Sequence, residues 1–361
     1  MGGFECSMHR RHDGKRLDLI EATRHDQYVQ EDYEQLASYG IKTVRDGVRW
    51  HLIESVPGQF NWSSFDPMLA AARSTETQVI WDLLHYGWPD WTNPFDADFP
   101  EKFATFAKAS AQRIGPGGHY CPINEISYLA WAGGEVGYLN PFATGRAEEL
   151  KRALCKAAIA AIRQIRVVDP DAVIVACEPL IKVHAADAAH NETAAAWNRV
   201  QYDAVDCLLG RRYPEFGGHE SNVDILGINY YPQNQWYAAP STQQLHASQM
   251  TPLCDLIVGA AKHFGRPIFV SETGCEDDDR ATWFKMILRE ARAAADAGYP
   301  LLGVCLYPIL DHPGWDDDRV CHNGLLCGYS KPKRVAHQPL LVEVVNMTEH
   351  VPTKMEFTSN F

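Results

Sequence analysis

The stretch Pro267-Ile268-Phe269-Val270-Ser271-Glu272-Thr273-Gly274 decides the fold, together with its counterpart Tyr120-Cys121-Pro122-Ile123-Asn124-Glu125. Each is a short strand-like run that delivers a glutamate and then passes into loop or helix. Similar runs recur along the chain: Gly3–Cys6, Thr43–Val48, Val79–Leu84, Val173–Ala176, Ile225–Ile228 and Gly303–Leu306. Amphipathic stretches separate them, at about 26–39, from 65 to 74, 99–113, 146–168 and about 193–209. Strands alternating with helices are the pattern of βα units and a parallel sheet. Eight strands in one unbroken succession predict a closed (β/α)8 TIM barrel, of class α/β. No Gly-x-Gly-x-x-Gly follows the first strand, which speaks against a dinucleotide-binding sheet. In a barrel, Glu125 and Glu272 both stand at C-terminal strand ends, the rim that carries active sites.

The length of 361 residues fits one domain with longer loops than a minimal barrel. We place the barrel at about 3–340 and a tail at about 341–361. A net charge of −13 argues against a nucleic-acid or anionic-membrane surface. No apolar run approaches the ~20 residues that span a bilayer, and the first residues lack a signal-peptide core. Ten cysteines without a Cys-x-x-Cys pair read as buried free thiols in a reducing, cytoplasmic setting. Cys321 and Cys327 are the one pair close enough in sequence to suggest otherwise. Neither a cofactor nor a metal is expected; Asp316-Asp317-Asp318 lacks the spaced ligands of a calcium loop.

Two carboxylates on one rim are the equipment for cleaving a glycosidic bond. The chain resembles the family 1 glycoside hydrolases, retaining glycosidases on (β/α)8 barrels, from Gly3 to about Tyr329. The resemblance rests on His25-Asp26 with Glu31-Asp32, Arg45 through Trp50, His85-Tyr86-Gly87-Trp88-Pro89 and Asn124-Glu125. It continues in Gly227-Ile228-Asn229-Tyr230-Tyr231, Glu272-Thr273-Gly274, Leu310-Asp311 through Trp315, and Asn323-Gly324-Leu325. The chain departs from the family at the sugar-selecting pocket. Tyr307-Pro308 replaces the Trp that ends strand 8, Gly314-Trp315 replaces a Glu-Trp pair, and His9 and Arg10 lie near the place of the strand 1 Gln.

The resemblance implies roles. Glu272 is the nucleophile, with Arg45 and Tyr230 supporting its charge, and Glu125 is the general acid/base. Asn124 contacts the sugar 2-hydroxyl and His85 another hydroxyl. Trp88, Trp91, Trp131, Trp236 and Trp315 lie in rim loops where aromatic faces can stack on sugars, with Trp88 and Trp315 placed best. Glu178 either touches substrate hydroxyls or pairs with Lys182. Tyr307 is aimed at the substrate by a cis bond to Pro308. The expected activity is a retaining exo-β-glycosidase acting on a small β-glycoside or oligosaccharide as carbohydrate partner. Transglycosylation by the same glutamates is the alternative, set by acceptor loops such as 231–250, and a catalytically weak sugar-binding barrel is a third reading. The sequence leaves sugar, linkage and oligomeric state open. A retaining mechanism requires carboxyl groups roughly 5–5.5 Å apart.

Overall fold

A computed structural model of the chain describes residues 1–238, 245–329 and 334–348. Part of the expected 231–250 loop and the tail beyond 348 therefore lie outside the described residues. Eight parallel strands close into a barrel: β1 (Gly2–Gly3), β2 (Thr43–Gly47), β3 (Gln78–Asp82), β4 (His119–Cys121), β5 (Val173–Pro179), β6 (Ile225–Asn229), β7 (Ile268–Thr273) and β8 (Leu301–Leu306). Closure is made where Gly2 pairs with Leu306 on one side and Val44 on the other. The first strand is shorter than its sequence suggests, and the Tyr307 ring packs against Gly3. A Cβ at Gly3 would lie 2.1 Å from Tyr307 Cδ2, so only glycine admits that ring.

Helices α1 (His25–Ser38), α2 (Asp66–Ser74), α3 (Phe99–Ile114), α4 (Ala147–Val168), α5 (Asp203–Leu208), α6 (Leu253–Phe264), α7 (Arg280–Asp296) and α8 (Gln338–Thr348) accompany the strands. Their apolar faces bury Leu36, Phe103, Leu154, Ile162 and Ile257 against outward-facing strand residues such as Val44, Trp81 and Leu226. The helix expected over about 193–209 is broken. Asn191–Val200 stops before α5, where Gln201 turns its amide to the Asn198 carbonyl and accepts from Ile181 N–H. A smaller cluster of Ile80, Cys121, Val175, Cys177, Ile225, Phe269, Cys305 and Tyr307 fills the barrel itself. All ten cysteines are free thiols, including Cys321 and Cys327.

Alternation along β2 sends Arg45 to the barrel axis and Asp46 outward. Outside, Asp46 accepts from Tyr33 (2.6 Å) and lies 2.9 Å from His25 Nε2. The His25 Nδ1 meets Asp32 at 2.8 Å, and Arg334 grips both oxygens of Asp32 at 2.9 and 3.1 Å. Burial pushes His25 down, but Asp46 and Asp32 outweigh it and raise its pKa to about 9. The imidazole is thus a cation between two carboxylates.

β7 breaks the simple alternation. Ile228 of β6 pairs with Val270, yet the next residue, Asn229, pairs with Glu272, leaving Ser271 as an extra residue. Such a bulge re-aims side chains. Phe269 faces the axis, so strict alternation would have turned Glu272 away; the bulge swings it back, while Ser271 donates to Asn229 Oδ1 at 2.6 Å.

Candidate active site

At the C-terminal rim Arg45 is fully buried and uses its whole fork. Its Nη2 meets Asp82 Oδ2 at 2.6 Å and donates to Asn124 Oδ1 at 2.8 Å. Its Nη1 meets Glu272 Oε1 at 2.8 Å and donates to the Ser271 carbonyl at 3.1 Å. Burying a charge is tolerable only with such partners. β2, β3, β4 and β7 each bring one group, or lead directly to it, so the hub exists only once the barrel is closed.

Glu272 takes a second donor, Tyr231 Oη, at 2.9 Å on Oε2. The sequence had offered Tyr230 for this role, and the structure corrects it. Asn229 faces inward, so Tyr230 faces out, where it stacks on Trp283 of α7 at 5.9 Å and accepts from Gln235 Nε2. The residue two after Asn229 is the one that returns to the cavity. Burial raises Glu272 above the ordinary carboxylate range, with Arg45 and then His85 pulling against it.

Glu125 lies on the same rim and has no ion-pair partner among the described residues. Its Oε1 accepts from Asn229 Nδ2 at 2.9 Å and its Oε2 from the Tyr86 hydroxyl. Burial first, and the Glu272 charge second, push its pKa up to about 8. Of the two glutamates, Glu272 has a guanidinium beside it that favours its anion, whereas the donors to Glu125 are neutral and favour its anion less.

His85 lies between Asp82 and Asn124. Its Nδ1 lies 3.2 Å from Asp82 Oδ2, and its Nε2 lies 3.1 Å from Asn124 Nδ2. Tyr307 is joined to Pro308 by a cis bond, as expected, and its ring lies beneath the Arg45 guanidinium at 5.6 Å. Trp315 packs edge-on against Tyr86 and His9. Three further expectations are not met. Trp88 packs edge-on against Phe99 in the core. Trp236 lies in a short outer ladder, Gln235–Tyr237 on Lys182–His184, against Trp197. Glu178 makes no ion pair with Lys182 among the described residues: its Oε2 accepts Ser127 N–H at 3.0 Å, and burial raises its pKa to about 7.

The sequence reading missed four groups. Asp82, the second anion on Arg45, stands two residues past Ile80 on the same inward face of β3 and could have been found by that parity. Tyr86 and Asn229, the donors to Glu125, lie inside quoted motifs without a role. Glu5 is a further buried carboxylate. Its Oε1 accepts Ser7 N–H at 2.9 Å and Oγ at 2.7 Å, and lies 3.9 Å from His85 Nε2. Cys6, Asp82 and His85 bring metal-ligand atoms within 4.8 Å of one another among the described residues. However, Asp82 is committed to Arg45, whose guanidinium would face any cation placed there, and burial and Asp82 push the Cys6 thiol up.

Residues 20–132 match the family model described as beta-galactosidase, glycoside hydrolase family 42. That segment spans β2 to β4 and ends just past Glu125. No curated protein matches the sequence. Among solved structures, the AHE enzyme from Alicyclobacillus herbarius is similar at TM-score 0.77 and 21% identity, over 91% of this chain and 88% of that one. The β-glucosidase from Thermotoga maritima in complex with glucoimidazole is similar at TM-score 0.73 and 17% identity, over 91% and 88%. A structure described as the family 1 β-glucosidase of that organism matches at TM-score 0.73 and 16% identity, over 91% and 87%. The family 1 resemblance thus holds at the level of the fold. No helix among the described residues is long and apolar enough to cross a membrane.

Proposed function

We propose that the protein is a retaining β-glycosidase that hydrolyses a small glycoside or oligosaccharide, working as one barrel domain. The observation that carries the reading is the asymmetry of the two rim glutamates. Glu272 shares Arg45 and accepts from Tyr231, whereas Glu125 has only neutral donors. An ionised carboxylate beside a protonated one is the division of labour that glycosidic cleavage needs.

In the first step a Glu272 oxygen attacks the anomeric carbon while Glu125 gives its proton to the departing glycosidic oxygen. Arg45 and Tyr231 hold the nucleophile ionised and oriented until the ester forms. Esterification removes the Glu272 charge, which is the second cause of the raised Glu125 pKa. Glu125 therefore becomes a better anion at the moment it must act as base. It then takes a proton from water, water attacks the anomeric carbon, and Glu272 is released. Asn124, held by Arg45 at 2.8 Å, faces His85 and is placed to meet a sugar hydroxyl next to the reacting carbon.

A panel of nitrophenyl β-glycosides, with product configuration followed by NMR, tests the reading. Retention of the β anomer is expected, together with carboxyl groups roughly 5–5.5 Å apart in a crystal structure. Inversion, or a separation near 9 Å, would overturn the mechanism.

A further inference from the structure

Tyr86 sits where chemistry and not packing accounts for its hydroxyl. The residue is buried, with its ring held edge-on to His85 at 4.6 Å, edge-on to Trp315 at 5.6 Å and tilted against Tyr128 at 5.7 Å. A phenylalanine would keep all three contacts. The hydroxyl is directed at Glu125 Oε2, and Asn124 Nδ2 donates to it at 3.3 Å. Both Tyr86 and Glu125 adopt left-handed backbone, with φ of 62° and 48°. Non-glycine residues occupy that region when their surroundings over-determine it, and functional sites are where they gather.

The contacts form an unbroken path. Arg45 Nη1 bonds Glu272 Oε1, Arg45 Nη2 donates to Asn124 Oδ1, Asn124 Nδ2 donates to Tyr86 Oη, and Tyr86 donates to Glu125. The nucleophile and the acid/base are thus joined through three side chains. Asn229 serves the other Glu125 oxygen at 2.9 Å.

Resting on the retaining reading above, we propose that Tyr86 is a further catalytic residue, the donor that stabilises Glu125 as an anion between proton delivery and proton uptake. In the first step Glu125 releases its proton to the leaving oxygen, and the Tyr86 O–H turns fully onto the new negative charge. In the second step Glu125 takes a proton from water, and Tyr86 relaxes to the neutral acid while remaining a phenol throughout. No proton leaves the Glu125–water–leaving-group set, so the balance of the two steps is unchanged. A donor that favours the anion helps the base step, in which a Glu125 without it would hold back from ionising.

The test is Tyr86→Phe. Stopped-flow burst amplitude with a dinitrophenyl β-glycoside counts the competent sites, so every rate is read per working site. For an alkyl glycoside, the alkaline limb of kcat/KM should move up by roughly half a pH unit or more, because the anion has lost a donor. For the dinitrophenyl glycoside, whose turnover waits on the base step, kcat should fall about 10-fold or more. Azide, which needs no base, should recover much of that loss. An unmoved limb with wild-type kcat overturns the proposal. So does an equal loss on both substrates with no pH shift and no azide response, since that is what a packing role produces. Wild-type protein that hydrolyses no glycoside sinks the underlying reading instead, and a wild type that retains configuration separates the two failures.

Discussion

Arg45 and Asp46 are neighbours on β2, yet they anchor two buried ionic networks on opposite faces of the strand. Outside the barrel, Asp46 and Asp32 are matched by His25 and Arg334, one cation for each anion. Inside, Arg45 bridges Asp82 and Glu272 and His85 stands 3.2 Å from Asp82, while Glu125 has no ion-pair partner among the described residues. The same residue types therefore do different work. Where anions and cations balance, the result is a fixed structure. Where one carboxyl is left without a cation beside an anion, its proton is poised to move. The difference lies in the count of partners, not in burial, because both sets are buried.

Substitutions can break this contrast. Glu272→Ala should remove turnover on every glycoside, by on the order of 10⁶-fold, the scale seen when a nucleophile is deleted from a covalent mechanism. Azide rescue of that variant should give the α-glycosyl azide, identified by NMR. Glu125→Ala should cost about 10²–10⁴-fold on alkyl glycosides or disaccharides, which need a proton on the leaving oxygen. A dinitrophenyl glycoside should still form the intermediate and then stall, and azide should give the β product. Equal losses of the two variants on both substrates would collapse the distinction between the glutamates.

The outer network answers to a different measurement. Asp32→Asn leaves Arg334 and His25 without their shared anion, and breaking a buried pair costs about 3–5 kcal/mol. Urea midpoints should drop accordingly, while kcat per folded molecule stays close to wild type. A large loss of kcat in that variant would mean the two faces of β2 are not independent. The smallest effect concerns pH. His25 is raised to about 9, so its stabilisation is complete below the ordinary histidine range near 6.5 and is lost as pH climbs through 9. The Tm should fall between pH 7 and 9.5, and a His25→Gln protein should show a flatter profile. Activity on an alkyl glycoside should also fall with rising pH, but around 8, as Glu125 loses its proton. Two separable pH responses, one of unfolding and one of rate, are the sharpest form of the comparison.

The barrel was legible in the sequence because its apolar runs and its amphipathic runs differ in period and recur in order. Asn124, Glu125 and Glu272 were legible because each stands at or just past the end of such a run, and Arg45 because it opens the Arg45-to-Trp50 motif within one. Tyr231 was lost to a neighbour, although parity from Asn229 would have selected it. Glu272 is the opposite case. Parity from Phe269 would have rejected it, since the bulge at Ser271 is a pairing property that β7 alone does not display. Tyr86 was hidden by its backbone: nothing in His85-Tyr86-Gly87 announces a left-handed tyrosine. Trp88, Trp236 and Glu178 were misplaced because a rim position does not fix which way a side chain points.

The grip of Arg334 on Asp32 joins residues 302 apart in sequence. During synthesis, which releases the N-terminal end first, Asp32 emerges with His25 but long before the Arg334 guanidinium. β1 waits likewise for β8, since Gly2 pairs with Leu306. The early half of the chain is then a sheet with an open edge, and α1 carries a carboxylate that cannot yet be buried. Folding of this barrel is accordingly a late event in the life of the nascent chain. A ribosome-stalled chain ending before residue 334 should stay open to protease around α1, and release of the full chain should close it.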